Sequence, residues 1–408
     1  MGPMLRACAG IDVHKDSLAV CIRVDGKECV ETFGTTSREI LRLSDRLAAA
    51  GVSAVAMEST GIYWRPIWNI LEDRFDLLLV NAQHIKRVPG RKTDVTDSQW
   101  IAQLLEHGLL ERSFVPPRPQ RELRDLTRQR TQLLGERARV INRVHKTLET
   151  ANLKIASLIS DLAGASGRRV LKAIVENQLK PEQIVELVDA RMEAKKPALR
   201  EALVGRVTDH HRFMLKQFLA QLDSVDAQIR KFDDRIEEVM SPLEKSAIKR
   251  MDEVPGFDRR TGQNVIAEIG IDMSRFPTSR HLASWAGMCP GNRESGGKRK
   301  SGKTRQANRW LKCALTQAAW GASRTRRSYF SEQHRRLTTR RGVKRANIAV
   351  AHSLLVVAYH LLKNPGECYT DLGTEHFKTH GNPEDQAQRM IQRLKKLGYD
   401  VTVTSRAA

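Results

Sequence analysis

The sequence predicts an α/β fold for the first 115 residues and an all-α fold for most of the remaining chain. Before residue 115, short apolar segments rich in Val, Ile and Leu alternate with amphipathic segments, which is the pattern of an α/β domain. After a proline-rich segment at residues 115–119, apolar residues recur three and four positions apart for more than a hundred residues, which is helical spacing. At 408 residues the chain has room for two or three domains, each with its own core.

The N-terminal elements alternate between strand and helix patterns. In chain order they are two strands within residues 9–24 separated by a polar turn, a possible third strand at 28–33, a helix at 37–50, a strand at 52–57, a helix at about 64–72, a strand at 77–80 and a helix beginning near 94. The order β-β-β-α-β-α-β-α matches a ribonuclease-H-like mixed sheet. In such a sheet, carboxylates at strand ends and on a helix meet at one edge.

Four acidic residues occupy matching places in this order. Asp12 lies in the first strand between Ile11 and Val13, so it points to the face opposite them. Glu58 follows the fourth strand, and Asp94 and Asp97 lie three residues apart where the late helix begins, with Thr93 or Asp94 predicted as its cap. The alternatives are an exposed strand end for Asp12 and an ordinary capping pattern for the aspartate pair.

Carboxylates brought together repel one another and raise each other's pKa unless cations intervene. Side chains three apart on a helix project side by side, and carboxylate oxygens are the ligands that Mg²⁺ prefers. The ordered set of four acids therefore predicts a Mg²⁺ site suited to metal-assisted phosphodiester chemistry.

The charge distribution predicts a polyanionic partner. The formal net charge is +22, yet residues 1–115 contain 14 basic and 15 acidic side chains, whereas residues 293–345 contain 17 basic and 2 acidic ones. Such a concentrated basic block is typical of a nucleic-acid-binding surface, and a membrane surface is a distant second possibility.

The remaining composition favours a reducing cytoplasm. The six cysteines have no paired C-x-x-C spacing, which argues against a zinc site and a disulfide framework. There is no signal-peptide pattern, and the longest apolar run, residues 348–362, is interrupted by polar residues and too short to span a bilayer. No membrane association is expected.

The middle of the chain predicts long helices. Residues 121–150 form a basic amphipathic pattern with eight Arg or Lys side chains that we single out as possible nucleic-acid contacts. From Leu215 to Val239, apolar residues alternate three and four apart through more than three heptads, which predicts a coiled-coil seam. The seam serves either self-association or an intramolecular bundle with the 121–150 helix.

Two later segments indicate contacts with phosphate. Residues 254–269 resemble a helix-hairpin-helix, whose backbone amides at a helix start hold phosphate; a plain helical turn is the alternative. Residues 282–303 begin as a helix and become a glycine-rich basic loop, after which a helix is predicted for 304–319.

Ser295 lies in this loop just before Gly296 and Gly297, so a hydroxyl is offered on a flexible backbone beside several cations. Its attack on DNA would form a phosphoserine ester. Alternatively, serine and glycine are ordinary loop residues and the cations bind phosphate without chemistry. On these grounds Ser301 is an equal candidate for the hydroxyl.

The chain resembles the insertion-sequence transposases that combine an N-terminal RuvC-like domain bearing a DEDD tetrad with a C-terminal serine-bearing transposase domain, the group understood as bridge-RNA-guided recombinases. The resemblance covers nearly the whole chain. It is carried by GIDV at residues 10–13, MESTG at 57–61, GRKTDVTD at 90–97, LASWAGMCPG at 282–291, SGG at 295–297 and QANR at 306–309.

The resemblance implies a function for both sites. It maps the Mg²⁺-binding tetrad onto Asp12, Glu58, Asp94 and Asp97 and the nucleophile onto Ser295. It further implies double-stranded target and donor DNA, a guide RNA, a homo-oligomer (dimer or tetramer) with composite active sites, and a bacterial, nucleoid-associated location. The residues expected to contact nucleic acid are Arg293, Lys298, Arg299, Lys300, Lys303, Arg305 and Arg309.

The predicted division is a RuvC-like domain at residues 1–115, a helical and coiled-coil region at 116–248, a mostly helical transposase domain at 249–365 and a tail at 366–408 with one helix at 384–397. Two other functions fit the same residues. One is a RuvC-like nuclease that hydrolyses DNA with metal-activated water, and the other is a non-catalytic nucleic-acid-binding coiled-coil protein whose acids are structural.

Overall fold

A computed structural model describes residues 4–402 except 60, 82–84, 86–95, 292, 302–303, 305–306 and 380–382. The chain divides into two compact units, Met1–Pro116 and Pro117–Ala408. Each unit is considered by itself below.

The first unit is built on a five-stranded mixed sheet. Its strands are β1 (Ala7–Val13), β2 (Ser17–Val24), β3 (Lys27–Gly34), β4 (Ala54–Glu58) and β5 (Asp76–Val80), in the spatial order β3-β2-β1-β4-β5. β1, β2 and β3 form an antiparallel meander, and β4 and β5 continue parallel to β1. The predicted mixed sheet with helices is confirmed.

Within the described residues of this unit, three helices accompany the sheet: α1 (Ser37–Ala49), α2 (Trp64–Leu71) and α3 (Asp97–Glu106). Alternation along β1 sends Ala9, Ile11 and Val13 into one core, which also contains Leu43 and Leu47 of α1. The intervening residue Cys8 belongs to a second core with Trp100 and other apolar residues of α3. The sheet is therefore covered on both faces, with α3 on the face of Cys8, Gly10 and Asp12.

Contact between α3 and β1 is close because residue 10 has no side chain. A Cβ atom at Gly10 would lie 2.4 Å from both the Ala102 nitrogen and the Ser98 carbonyl oxygen. These separations are far inside van der Waals contact, so any larger residue would push the helix away. Next to this point, the Cys8 thiol donates a hydrogen bond to the Ala102 carbonyl (3.6 Å).

The second unit is mostly helical. Its helices are α4 (Arg118–Thr150), α5 (Ala165–Glu176), α6 (Pro181–Ile184), α7 (Lys196–Ala202), α8 (Asp209–Val239), α9 (Pro242–Asp252), α10 (Arg259–Ile269), α11 (Ser279–Trp285), α12 (Arg309–Arg324), α13 (Tyr329–Arg341), α14 (Val343–Lys363), α15 (His376–Thr379) and α16 (Pro383–Lys396). A short hairpin, β6 (Arg293–Ser295) and β7 (Lys298–Ser301), lies between α11 and α12.

The long helices α4 and α8 run antiparallel to each other. Leu133 of α4 packs with Val225 and Ile229 of α8, and farther along α4, Val140 packs with Leu222. The predicted apolar seam of α8 is thus buried within the chain, which is the intramolecular alternative. Self-association stays a prediction, but it does not need this seam.

Helix α14 is central to the larger core of the second unit. Within the described ranges it is the one helix long and apolar enough, by length and composition, to cross a membrane. Its residues Val350, Leu354 and Leu355 are completely buried among the surrounding helices. Asn347, also buried, donates a hydrogen bond to the Thr316 carbonyl (3.0 Å). These contacts are those of a core helix.

Replacing Gly10 by Ala is expected to lower the free energy of unfolding by about 1–3 kcal/mol, because overpacking forces α3 off the strand. Denaturant unfolding measures this change, and hydrogen exchange at the α3 amides should accelerate. The matched control is Gly135→Ala in the interior of α4, where a Cβ meets nothing within 4 Å. That change should stabilise the helix by about 0.5–1 kcal/mol. Equal stability of Gly10→Ala and the native protein would contradict the contact.

Candidate functional site

Asp12 and Glu58 lie at one edge of the sheet on the α3 side. Side chains alternate between the two faces of the sheet along each strand. Asp12 therefore shares a face with Cys8 on β1, and Glu58 shares one with Ala54 and Ala56 on β4, and this is the face that α3 covers. The parallel register pairs Ile11 with Met57, so the next residue on each strand is one of the two acids. Because β1 and β4 are neighbouring parallel strands, their carboxyl ends place these acids side by side on one face.

Asp97 begins the helix that covers this face. Helix α3 runs opposite to β1, since Ser98 and Ala102 lie over Gly10 and Ala102 also lies over Cys8. The N-terminus of α3 therefore points toward the end of β1 that carries Asp12. The partial positive charge of a helix N-terminus favours nearby carboxylates, which offsets part of the repulsion among them.

The cap of α3 differs from the predicted one. Thr96 is the N-cap: its hydroxyl accepts a hydrogen bond from the Gln99 amide (3.4 Å), and the Gln99 side chain returns a contact to the Thr96 amide (3.0 Å). Prediction of Thr93 or Asp94 as the cap was wrong, because the capping box at Thr96 and Gln99 supplies a complete alternative. Asp94 lies outside the described residues, so its relation to Asp97 stays a prediction.

The described acids have different surroundings. The Asp12 carboxylate is 17% exposed and lies 3.1 Å from the ring Nε2 of His14, which is 61% exposed. Glu58 is half-buried and Asp97 is exposed. In the part of the chain that the structure describes, no three His, Cys, Asp or Glu side chains are grouped closely enough to hold a metal ion. The donor set nevertheless has the right chemistry for a hard cation, since every predicted ligand is a carboxylate.

The segment around Ser295 is a β-hairpin, whereas a flexible loop was predicted. Ser295 pairs with Lys298, and Gly296 and Gly297 between them have φ values of 59° and 72°. A two-residue turn with both central residues in the left-handed region matches the twist of a hairpin and favours glycine strongly. The two glycines thus serve to reverse the chain.

The structure describes only part of the predicted nucleic-acid contacts near this hairpin. Lys298 and Arg309 are exposed. The side chains of Arg293, Ser295, Arg299 and Lys300, and the whole of Lys303 and Arg305, lie outside the described residues. The choice between Ser295 and Ser301 is therefore not decided by geometry.

Both ends of the hairpin are anchored. Pro290 and Thr304 form a bridge across its base, and the Lys312 ammonium donates to the Thr304 hydroxyl (2.6 Å). Asn308 is the N-cap of α12, since its Oδ1 accepts from the Trp310 and Leu311 amides at 3.1 Å each. The predicted start of this helix at 304 was too early, because the chain first completes the bridge and the cap.

Glu268 links this cap to α4. The Glu268 side chain is 2% exposed and accepts a hydrogen bond from Asn308 Nδ2 (2.6 Å). Its two oxygens also accept from Arg128, at 2.7 and 2.8 Å, and Arg124 lies 3.5 Å away. This buried carboxylate fixes α12, and with it one end of the hairpin, to the long helix α4.

Much of the basic character of α4 is used inside the chain. Besides Arg124 and Arg128, Arg130 is 1% exposed and pairs with Asp233 (2.9 Å), and Arg137 pairs with Asp226 (2.7 Å). Burial lowers the pKa of Arg130, and the ion pair with Asp233 opposes that effect. These arginines hold α4 against α8 and α10, and nucleic-acid contacts by the other basic residues of this helix stay a prediction.

The helix-hairpin-helix-like segment at residues 254–269 comprises the turn that follows α9 and the whole of α10. Asp258 caps α10 by accepting from the Thr261 amide (2.7 Å). In the turn, a Cβ at Gly256 would lie 2.2 Å from the Ala318 carbonyl oxygen, so the turn packs closely on α12. Its visible role is packing, and phosphate binding stays a prediction.

Two family models match parts of the chain that together exceed half its length. Residues 9–153 match the IS110 DEDD model, described as a transposase, and residues 248–335 match the model of the transposase IS116/IS110/IS902 family. The chain belongs to this transposase family. The acidic edge falls within the first match and the hairpin within the second. A DEDD domain indicates the use of divalent metal.

Individual relatives agree with this membership. The chain is 25% identical over 264 residues to the insertion element IS116 uncharacterized 44.8 kDa protein of Streptomyces clavuligerus, a match that covers 57% of this chain and 64% of that protein. It is 23% identical over 269 residues to a probable family 20 transposase of Pseudomonas aeruginosa, covering 65% and 70% respectively. The match thus spans just under two thirds of the first relative.

The role of Glu268 was not predicted from the sequence. Its replacement by Ala should lower the free energy of unfolding by about 3 kcal/mol or more. The change leaves Arg128 and Arg124 without their buried counter-charge, which is the costly way to break a buried pair. Urea unfolding measures the loss.

The control is Glu238→Ala in α8. Its ion pair with Arg235 is well exposed on both sides, so the change should stay below about 1 kcal/mol. A loss at Glu268 no larger than that of this control would refute the anchoring role.

Proposed function

We propose that this chain is a DNA transposase of a bacterial insertion sequence that cuts and rejoins DNA through Ser295, assisted by Mg²⁺-binding carboxylates and guided by a non-coding RNA. The observation that supports it most is the convergence of Asp12, Glu58 and the N-terminus of α3 at one edge of the sheet, on one face. A purely structural or capping role would explain each acid separately, but not why they meet at one edge.

The carboxylates have the chemistry to hold divalent metal. Asp12, Glu58, Asp94 and Asp97 would be the ligands, with oxygen donors only. A bound Mg²⁺ supplies positive charge that orients a phosphate and stabilises the charge of its transition state. His14, 3.1 Å from Asp12, can keep that carboxylate oriented when no phosphate is present.

Ser295 would act by exchanging one phosphate ester for another. Its oxygen forms a bond to the DNA phosphorus, the bond from phosphorus to a deoxyribose oxygen breaks, and that oxygen takes up a proton. The DNA is then joined to the serine through a phosphodiester, so the bond energy is retained. A second deoxyribose hydroxyl can reverse the exchange and release the serine without an added energy source.

The hairpin supports this role because it holds the backbone at residue 295 in a regular strand pairing. Its turn is fixed by Gly296 and Gly297, and its base is anchored to α12 by Lys312 and Thr304. Catalytic groups need such positioning, since small displacements cost large factors in rate. Nearby cations, including Lys298, would bind the phosphate being attacked.

The nucleic acid itself is proposed to lie on the exposed part of the basic block. Arg340, Arg341, Lys344 and Arg345 are exposed at the end of α13 and the start of α14. Their charges face solvent and are available to phosphates. Target DNA, donor DNA and the guide RNA share this phosphate chemistry. The RNA and a dimeric or tetrameric assembly rest on the family resemblance.

The test of the serine is a denaturant-resistant protein–DNA adduct. Purified protein, RNA transcribed from the sequence flanking its element, Mg²⁺ and labelled DNA should give an adduct, which should be lost in Ser295→Ala and also in Asp12→Asn. Ser301→Ala is the matched control and should keep it. An adduct in Ser295→Ala would discard the assignment, and cleaved DNA without an adduct would favour hydrolysis by the N-terminal domain.

The test of the basic surface is the salt dependence of DNA binding. Replacing Arg340 and Arg341 together by Ala should weaken binding and reduce the slope of log K against log salt by about 2, since each phosphate contact contributes about 0.9. Fluorescence anisotropy over a salt series measures the slope. Arg42→Ala in the neutral first unit should leave it unchanged. An unaltered slope in the double variant would place the nucleic acid elsewhere.

A further inference from the structure

A cleft of about 480 Å³ opens in the second unit between α4, α10 and α12. That volume is within the range of small-molecule sites. It is lined on α4 by residues from Thr127 to Ala138, on the α10 side by residues from Asp258 to Glu268, and on α12 by residues from Trp310 to Gln317. None of the chemistry assigned to Ser295 or the acidic edge uses it.

The cleft has space beside Gly135 that a side chain could fill. It lies in the interior of α4, where glycine costs stability relative to alanine. A Cβ at this position would meet nothing within 4 Å, so neither crowding nor a close backbone approach requires glycine. Ala138 and Ala314 also line the cleft. A glycine that no packing contact demands is expected where a ligand occupies the space.

Trp310 provides a flat aromatic surface at the cleft. Its ring is partly exposed, and two guanidinium groups lie over it: the Cζ atom of Arg309 is 4.7 Å and that of Arg128 is 5.8 Å from the ring centroid. A base that reaches a covered face would displace the guanidinium group there or stack on it. Aromatic rings with adjacent arginines are the usual platform on which nucleobases stack, because every base has a π-face.

Most charged groups of the cleft already have partners. Glu268 is paired with Arg128, Arg260 is paired with Asp233 (2.5 Å), and Asp258 caps α10. An interior of paired charges suits a neutral planar group better than a phosphate.

Two side-chain amides at the cleft can form hydrogen bonds with the edge of a base. The Asn264 oxygen accepts from Arg130 (3.0 Å), which sets its Nδ2 as a donor, and Gln317 lies on the α12 wall. Amide side chains pair well with the hydrogen-bonding edges of bases.

We propose that this cleft binds an unpaired nucleobase of a DNA or RNA strand, stacked on Trp310. The inference rests on the proposed function for the presence of nucleic acid, and adds a site that takes a base out of the duplex. Asn308, next to Arg309, is the cap that anchors the serine hairpin, so an occupied cleft would lie at the start of the helix that follows the hairpin. Holding a base there would keep a strand unpaired near the reacting segment.

The direct test fills the cleft without damaging the fold. Gly135→Leu places a side chain in open space and should not lower thermal stability. Fluorescence anisotropy with a labelled 20-nucleotide single strand should show binding weakened by about 5- to 150-fold, the range for loss of one stacked base. Binding of the fully paired duplex should be unchanged. Gln132→Leu is the control, because Gln132 is exposed on the same helix and does not line the cleft.

A second measurement needs no substitution. Cys313 lines the cleft and is exposed, and Cys368 is exposed elsewhere. Alkylation of both cysteines is measured by peptide mass spectrometry. A saturating single strand should slow alkylation of Cys313 and leave that of Cys368 unchanged. The duplex should protect neither cysteine. The assay is run with DNA and with RNA of the same sequence. The strand that protects Cys313 more strongly is the one that supplies the base.

Unchanged single-strand binding by Gly135→Leu, or no protection of Cys313, would overturn the base site. Neither result would affect the serine, because the adduct formed by the native protein and lost in Ser295→Ala is read separately. Failure of the native protein to bind even the duplex would instead count against the proposed function as well as the base site.

Discussion

The contact of α3 with the backbone of β1 at Gly10 is the constraint on which the acidic edge depends. Because residue 10 has no side chain, α3 packs so closely on β1 that Ser98 and Ala102 contact the strand. Helix α3 runs antiparallel to β1, so its first residue, Asp97, lies toward the end of the strand that carries Asp12. The parallel pairing of β1 with β4 then adds Glu58. Strand pairing and one close approach thus bring three separate parts of the chain to one edge. Gly10 is structural although it lies beside the site.

In the second unit, buried charge performs the corresponding role. Glu268, between Arg128 and Asn308, ties the helix after the hairpin to α4, and Arg130 and Arg137 tie α4 to α8. The basic residues thus fall into two groups. Those on α4 with carboxylate partners on other helices hold the scaffold, and those at the end of α13 and the start of α14 are exposed to solvent. Net charge alone could not separate the groups.

Periodicity was enough to predict the sheet, its helices and the places of Asp12 and Glu58, because alternation and strand order are local. It failed where specific side-chain contacts or a tight turn decide the structure. Thr93, Asp94 and Thr96 can all cap a helix, and Gln99 decides among them. The hairpin at 293–301 lacks apolar alternation, so it was predicted as a loop, although its paired glycines fit a tight turn. The ion pairs of the α4 arginines could not be predicted, because their carboxylate partners lie 89 to 140 residues away in the sequence.

The edge formed by β1, β4 and α3 is proposed to bind divalent metal. Titration of the full-length protein with Mn²⁺, with the free ion followed by electron paramagnetic resonance, measures this binding without any nucleic acid. We expect bound Mn²⁺ that Mg²⁺ displaces and that Asp12→Asn and Glu58→Gln each weaken by at least tenfold, with Glu238→Gln on α8 as an unaffected control. Equal Mn²⁺ binding by the native protein and both edge variants would rule out a metal site at this edge.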